Sequence, residues 1–282
     1  MSRHTLAFLL PLLPLMASAQ EPVRIAFACA EDELQDAGLL CTEEEPCPVY
    51  LELNAIAPDG KKLFLAGNLH STSGTLDSVL MASDDGGLTW KESAPRVHAA
   101  ALDQLQMYDL DHGWAAGEIQ YPLPGDPFFL VTTDGGQTWR RRPVTDDEGP
   151  GSIQRFWFDS PKHGELIVDA GRSASGGRYV TWESETGGES WMMRASEGKM
   201  PALKHAGAAS EADFRIRAAG KNYLIEKRAG ESKWETVASF AIDVASCKVK
   251  PGELKEPPPE AAAPDPDAPA KPVVIIKEPA RR

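Results

Sequence analysis

The chain has 282 residues, of which 42 are Asp or Glu and 29 are Lys or Arg, giving a formal charge of −13. That balance, with no basic stripe, argues against nucleic acid and anionic membrane surfaces as partners, since both are gripped by clustered Lys and Arg. The 24 glycines and 23 prolines suit a turn-rich chain, and the four cysteines are an even set open to pairing in an oxidising compartment.

Residues 1–19 read as a secretory signal peptide. Arg3 and His4 precede the apolar run Leu6 to Met16, and Ala17-Ser18-Ala19 supplies small residues for cleavage. The run is too short, and too interrupted by Pro11 and Pro14, to cross a bilayer as a helix. The expectation is a secreted or periplasmic protein with no membrane insertion after signal removal. Residues 20–49 then hold an alternating segment, Val23, Ile25 and Phe27, followed by an acidic stretch containing Cys29, Cys41 and Cys47.

From 50 to 250 the chain repeats. Ser83-Asp84-Asp85-Gly86-Gly87-Leu88-Thr89-Trp90 is echoed by Thr132-Thr133-Asp134-Gly135-Gly136-Gln137-Thr138-Trp139, and again by Ser184-Glu185-Thr186-Gly187-Gly188-Glu189-Ser190-Trp191. A degraded fourth copy ends at Trp234, so the tryptophans fall 49, 52 and 43 residues apart. Ala-Gly pairs at Ala66-Gly67, Ala116-Gly117, Ala170-Gly171 and Ala219-Gly220 provide a second marker with a similar period. Short apolar runs, Lys62 to Ala66, Ser78 to Ala82, Phe128 to Val131, Glu165 to Val168 and Tyr223 to Ile225, read as strands, and no long amphipathic helix is apparent.

A small antiparallel sheet repeated every 50 residues or so cannot bury both its faces alone, whereas sheets set radially bury their faces against one another. The predicted fold is therefore all-β, a β-propeller of four to five blades, with the Gly-Gly segments as hairpin turns. A fifth, split blade would combine Val23 to Cys29 with Ala241 to Cys247. Of the three possible cysteine pairings we favour Cys29–Cys247, which would join the ends of a ring and protect an open strand edge, with Cys41–Cys47 closing a small loop. The cysteine spacing does not match a zinc site, so no metal and no cofactor is expected.

The motif Ser/Thr-x-Asp-x-Gly-x-Thr-Trp at Ser83 to Trp90 and Thr132 to Trp139 resembles the Asp-box, or bacterial neuraminidase repeat. With Asp111-His112-Gly113-Trp114-Ala115-Ala116-Gly117 ahead of the second copy, it looks like the photosystem II assembly factor-like propeller group. The resemblance covers about Tyr50 to Phe240 and implies Asp-box hairpins built from Ser83, Asp85, Gly87, Thr89, Trp90, Thr132, Asp134, Gly136, Thr138, Trp139, Ser184, Gly188, Trp191 and Trp234. The third copy departs from it, with Thr186 for the Asp and Ser190 for the Thr. Asp-boxes also occur in sialidases, receptors and secreted cellulose-degrading enzymes, so the fold does not settle the function.

Sialidases resemble one another in a Phe-Arg-Ile-Pro motif before the first box. The near match here, Phe214-Arg215-Ile216-Arg217, lacks the Pro and follows the third box, so no catalytic residue carries over. Asp85 and Asp134 recur at one turn position, which points to holding the turn rather than to acid catalysis or calcium. His112 and His163 each precede a Gly at equivalent positions and read as turn residues. In Arg155-Phe156-Trp157-Phe158 the phenylalanines share one strand face, leaving Trp157 and Arg155 as candidates for a binding face. The Pro-rich loop around Tyr121 is a further candidate surface.

Beyond 250 the composition turns to Pro and Ala, and residues 251–282 read as a disordered tail with a β-branched cluster, Val273 to Ile276. The expected function is a non-enzymatic scaffold for a protein partner, with carbohydrate binding or glycoside hydrolysis as the alternative.

Overall fold

The computed structural model describes residues 21–120, 125–144, 151–171, 176–203 and 213–248. The expected signal peptide, the loop at Tyr121 and the expected C-terminal tail lie outside them. The described chain is all-β apart from the six-residue α1, Glu31–Asp36. Among the described residues no helix is long and apolar enough to cross a membrane.

The strands follow one another as antiparallel meanders in four sheets. The first holds β1 (Cys47–Asp59), β2 (Lys62–His70), β3 (Thr75–Ser83) and β4 (Lys91–Glu92). The second holds β5 (Ala100–Met107), β6 (Gly113–Ile119), β7 (Gly125–Thr132) and β8 (Arg140–Pro143). The third holds β9 (Ser152–Phe158), β10 (Gly164–Asp169), β11 (Tyr179–Ser184) and β12 (Met192–Glu197), and the fourth β13 (Phe214–Ala219), β14 (Asn222–Arg228) and β15 (Trp234–Ala241). The strand runs expected from the sequence lie within β2, β3, β7, β10 and β14.

Apolar side chains weld neighbouring sheets in a propeller-like succession. Strand β2 shows why its sequence is apolar almost throughout: successive residues point to opposite faces, and both faces are covered. Phe64 and Ala66 belong to one apolar cluster with Leu102, Ala115 and Leu130 of the second sheet, while Leu65 belongs to another with Ile225, Ala238 and Phe240 of the fourth. A third cluster joins Trp114, Phe129 and Val131 to Phe156, Phe158 and Leu166 of the third sheet. Among the described residues, none of these clusters joins the third sheet to the fourth.

The first three turn tryptophans serve these joints. Trp90 meets Phe240 edge-on at 5.2 Å between ring centroids, Trp139 meets Phe64 at 6.1 Å, and Trp191 stacks on Phe129 at 5.2 Å. Each follows the third strand of its sheet and touches the preceding sheet. Trp234 differs from the expected fourth copy: it opens β15, the third strand of its sheet, and lies under the guanidinium groups of Arg215 and Arg228, at 4.2 and 4.8 Å from the ring centroid.

The segments expected to make a fifth sheet do not form a separate one among the described residues. Val23 exchanges backbone hydrogen bonds with Ser239 and Ala241 beside β15, and β16 (Asp243–Cys247) pairs with β1, placing Cys47 opposite Cys247. Cys29 is bonded to Cys247 and Cys41 to Cys47. The first of these bonds ties the N-terminal segment to the strand that follows the fourth sheet, across 218 residues of sequence.

The Ala-Gly pairs are not one repeated position. Gly67 and Gly117 face the inner strands where β1 and β5 bulge, and a Cβ on either would stand 2.1 Å from the carbonyl oxygen of Glu52 or Ala101. Gly171 lies beyond the end of β10 and Gly220 in the β13–β14 turn, with φ of +83° and +63° and open space around them. Close backbone approach selects the first two glycines, and a left-handed backbone the others.

Candidate functional site

Three repeated turns connect the third and fourth strands of their sheets. In the first, the Ser83 hydroxyl accepts from the Gly87 N–H at 2.8 Å and donates to Asp85 Oδ1 at 2.8 Å. Asp85 in turn accepts from the Thr89 N–H at 2.9 Å and the Thr89 hydroxyl at 2.6 Å. In the second, Thr132, Asp134, Gly136 and Thr138 repeat every one of these bonds within 0.1 Å. The paired glycines of each turn have φ between +68° and +101°, a backbone that side chains with a Cβ rarely adopt. Hydrogen bonds from Thr89 and Ser83 lower the Asp85 pKa to about 2, and bonds from Thr138 do the same for Asp134, also about 2. In the third turn, Thr186 accepts from the Ser190 N–H at 2.9 Å and lies 2.9 Å from its hydroxyl, while Gly188 N–H donates to Ser184. A neutral hydroxyl thus fills the place of the carboxylate. The carboxylates of Asp85 and Asp134 are committed to their own turns.

A cavity of about 540 Å³ opens where the first strands of three sheets converge. Its walls are Asn54 to Ile56 of β1, Asp103 to Gln106 of β5, Arg155 to Trp157 of β9, and Leu203. Each of these strands changes register at this level, so that Asn54, Asp103 and Gln154 are left without a partner residue across the ladder. A bulge of this kind re-aims a side chain and bends the strand. Asn54 donates to Asp103 at 2.8 Å, linking the first bulge to the second.

The wall is held from behind by amides. Gln106 donates to the Phe158 carbonyl at 2.8 Å and accepts from its N–H at 2.9 Å, a two-bond clamp between β5 and β9. Gln104 donates to the Ile153 carbonyl at 3.0 Å, and buried Asn68 accepts from the Leu102 N–H at 2.7 Å. Burial raises the Asp103 pKa, offset by hydrogen bonds from Asn68 and Asn54 and reinforced by nearby Glu52. Asp103 is exposed and lines the cavity, so its carboxyl is accessible from there.

Of the binding candidates read from the sequence, Arg155 and Trp157 line this cavity, and Tyr121 lies outside the described residues. Phe156 and Phe158 turn their rings the other way, into the joint with the second sheet. Among the described residues Arg155 has no ion-pair partner. Sequence inspection missed Asn54, Asp103 and Gln104, because a bulge leaves no periodic mark when the bulged residue is itself polar.

A second polar group lies on the third sheet. His163 Nδ1 is 2.7 Å from Asp159 Oδ1 and Nε2 is 2.9 Å from Glu183 Oε1, and Arg194 pairs with the other oxygen of Glu183. Hydrogen bonds to Glu183 and then Asp159 raise the His163 pKa, while His163 and Arg194 lower that of Glu183. At the equivalent turn His112 bonds Asp109, but its neighbouring strand supplies Val131 in place of Glu183.

The succession of small antiparallel sheets and its central cavity define an all-β, propeller-like protein. No family model matches the chain, and no match was found among curated proteins. Among solved structures it is similar to YCF48 bound to D1 peptide, with a TM-score of 0.39 and 19% identity over 69% of this chain and 57% of that one. It is also similar to an ulvan lyase of a polysaccharide lyase family, with a TM-score of 0.39 and 11% identity over 70% of this chain and 52% of that one. A third likeness is to YCF48 from Cyanidioschyzon merolae, with a TM-score of 0.28 and 13% identity over 73% of each chain. The matches thus span little more than half the length of the first two.

Proposed function

We propose that the protein is an exported, non-enzymatic propeller that binds a protein partner at the mouth of its central cavity, with Arg155 and Trp157 as the contact residues. The observation that carries this reading is the company kept by Arg155: an exposed guanidinium without an ion-pair partner among the described residues, lining one cavity with a tryptophan and the carboxyl of Asp103. Arginine and tryptophan supply much of the energy of protein contacts.

Two features speak against glycoside hydrolysis. A pair of carboxyl groups on opposite sides of the sugar is the usual requirement, and among the described residues Asp103 is the single carboxyl lining the cavity. The repeated aspartates are bound into their turns, which we take to be Asp-box hairpins in three copies, the third with Thr186 in the acidic position. Two disulfides favour an oxidising compartment, in keeping with a signal peptide at 1–19 and a secreted or periplasmic destination.

A glycan array and a panel of chromogenic glycosides, run with wild-type protein and Arg155→Glu, test this reading. No glycan binding and no turnover is expected. Specific glycan binding or turnover abolished by Arg155→Glu would replace the protein partner with a carbohydrate.

A further inference from the structure

We propose that His163, Glu183 and Glu185 form a binding site for one divalent first-row transition metal ion, of the class of Zn²⁺. One ligand atom from each of the three lies within 4.8 Å of the others. A nitrogen and two carboxylate oxygens suit a borderline ion, and leave a place open for water or a partner's side chain.

The fold itself does not require these acids. The cross-strand register puts Glu183 opposite Glu165, as it puts Ala82 opposite Phe64 in the first sheet and Val131 opposite Trp114 in the second. Ala82 and Val131 are buried in the joints with the following sheets. The third sheet has no such apolar joint with the fourth among the described residues, and at the same place it carries a carboxylate beside a histidine. Glu185 stands two residues further along, where the other turns have Asp84 and Thr133.

The arrangement around the histidine is that of a prepared ligand. Asp159 accepts from Nδ1–H at 2.7 Å, which fixes the ring and leaves Nε2 directed at Glu183. Metal ligation at Nε2 takes the place of the hydrogen bond to Glu183 Oε1, and the Nε2 proton of the cationic ring goes to solvent. Arg194 holds the second oxygen of Glu183 and orients the carboxylate without occupying Oε1. One ion would also offset the repulsion between Glu183 and Glu185.

Calorimetric titration of the disulfide-intact protein, washed with chelator, tests this with Zn²⁺ alone. One ion per chain is expected, with a matching rise in Tm and affinity for Ca²⁺ at least tenfold weaker. His163→Ala and Glu185→Gln should each weaken Zn²⁺ binding at least tenfold, while His112→Ala, at the equivalent turn, should leave it unchanged. Exposed Glu185 makes the second variant informative even if loss of His163 disturbs folding. Absence of saturable binding, equal affinity for Ca²⁺, or full retention in Glu185→Gln would overturn the proposal.

Discussion

Trp114 and Phe158 lie face to face, with ring centroids 3.7 Å apart and planes within 1° of parallel. The pair joins the second sheet to the third, and the Trp114 indole N–H donates to the Gly187 carbonyl of the third turn at 2.8 Å. Trp114→Ala removes the stack and the hydrogen bond together and leaves a void in a closed joint. It should cost about 3–5 kcal/mol, the usual range for a buried aromatic. Urea unfolding checks this, and a loss below about 1 kcal/mol would show that the joint collapses without it.

The turn aspartates predict acid sensitivity. Both Asp85 and Asp134 have a folded pKa of about 2, below the unfolded value near 3.9. Their contribution to stability is complete above that unfolded value and is lost as pH falls through about 2. The double variant Asp85→Ala/Asp134→Ala should therefore be less stable than wild type at pH 6, with the gap narrowing steadily toward pH 2. Denaturation midpoints across this range read the effect, and an unchanged gap would assign it to something other than the carboxylates.

The two disulfides should differ in weight. Chain-entropy reasoning gives about 5 kcal/mol for a loop the size closed by Cys29–Cys247 and about 2 kcal/mol for one the size closed by Cys41–Cys47, from separations of 218 and 6 residues. Replacing the first pair with alanine should lower stability more than replacing the second. Equal losses in denaturant titrations would mean that the unfolded chain is already held near its folded span.

Glycine substitutions separate two causes that look alike in sequence. Gly67→Ala drives a Cβ onto the Glu52 carbonyl oxygen at 2.1 Å and should cost several kcal/mol through displaced backbone, whereas Gly171→Ala meets only the strain of φ +83°, about 1 kcal/mol. Thermal melts of both variants should rank them in that order. The reverse order would contradict the close approach at the β1 bulge.

That pair also marks how far the sequence could be read. The sheet succession was legible because each turn repeats Ser or Thr, Gly-Gly and Trp at fixed spacing, and apolar runs on both sides locate the strands. Trp234 and Gly220 shared the spacing but not the environment, since one opens a third strand and the other is a hairpin glycine. Arg155 and Trp157 could be singled out because alternation on β9 turns them away from the joint. Asn54 and Asp103 could not, because their meeting at 2.8 Å depends on bulges in two strands that are 49 residues apart. The grouping of His163 with Glu183 likewise arises from cross-strand register, which turn residues alone do not reveal.

Site-specific photo-cross-linking in producing cells tests most directly whether the cavity mouth is the binding face. A photoreactive residue replacing Trp157 should give a discrete protein adduct, absent when the same residue replaces Leu88, which is exposed on the first turn. Adding Arg155→Glu should abolish it. No adduct at position 157, or the same adducts from both positions irrespective of Arg155, would contradict binding at the cavity.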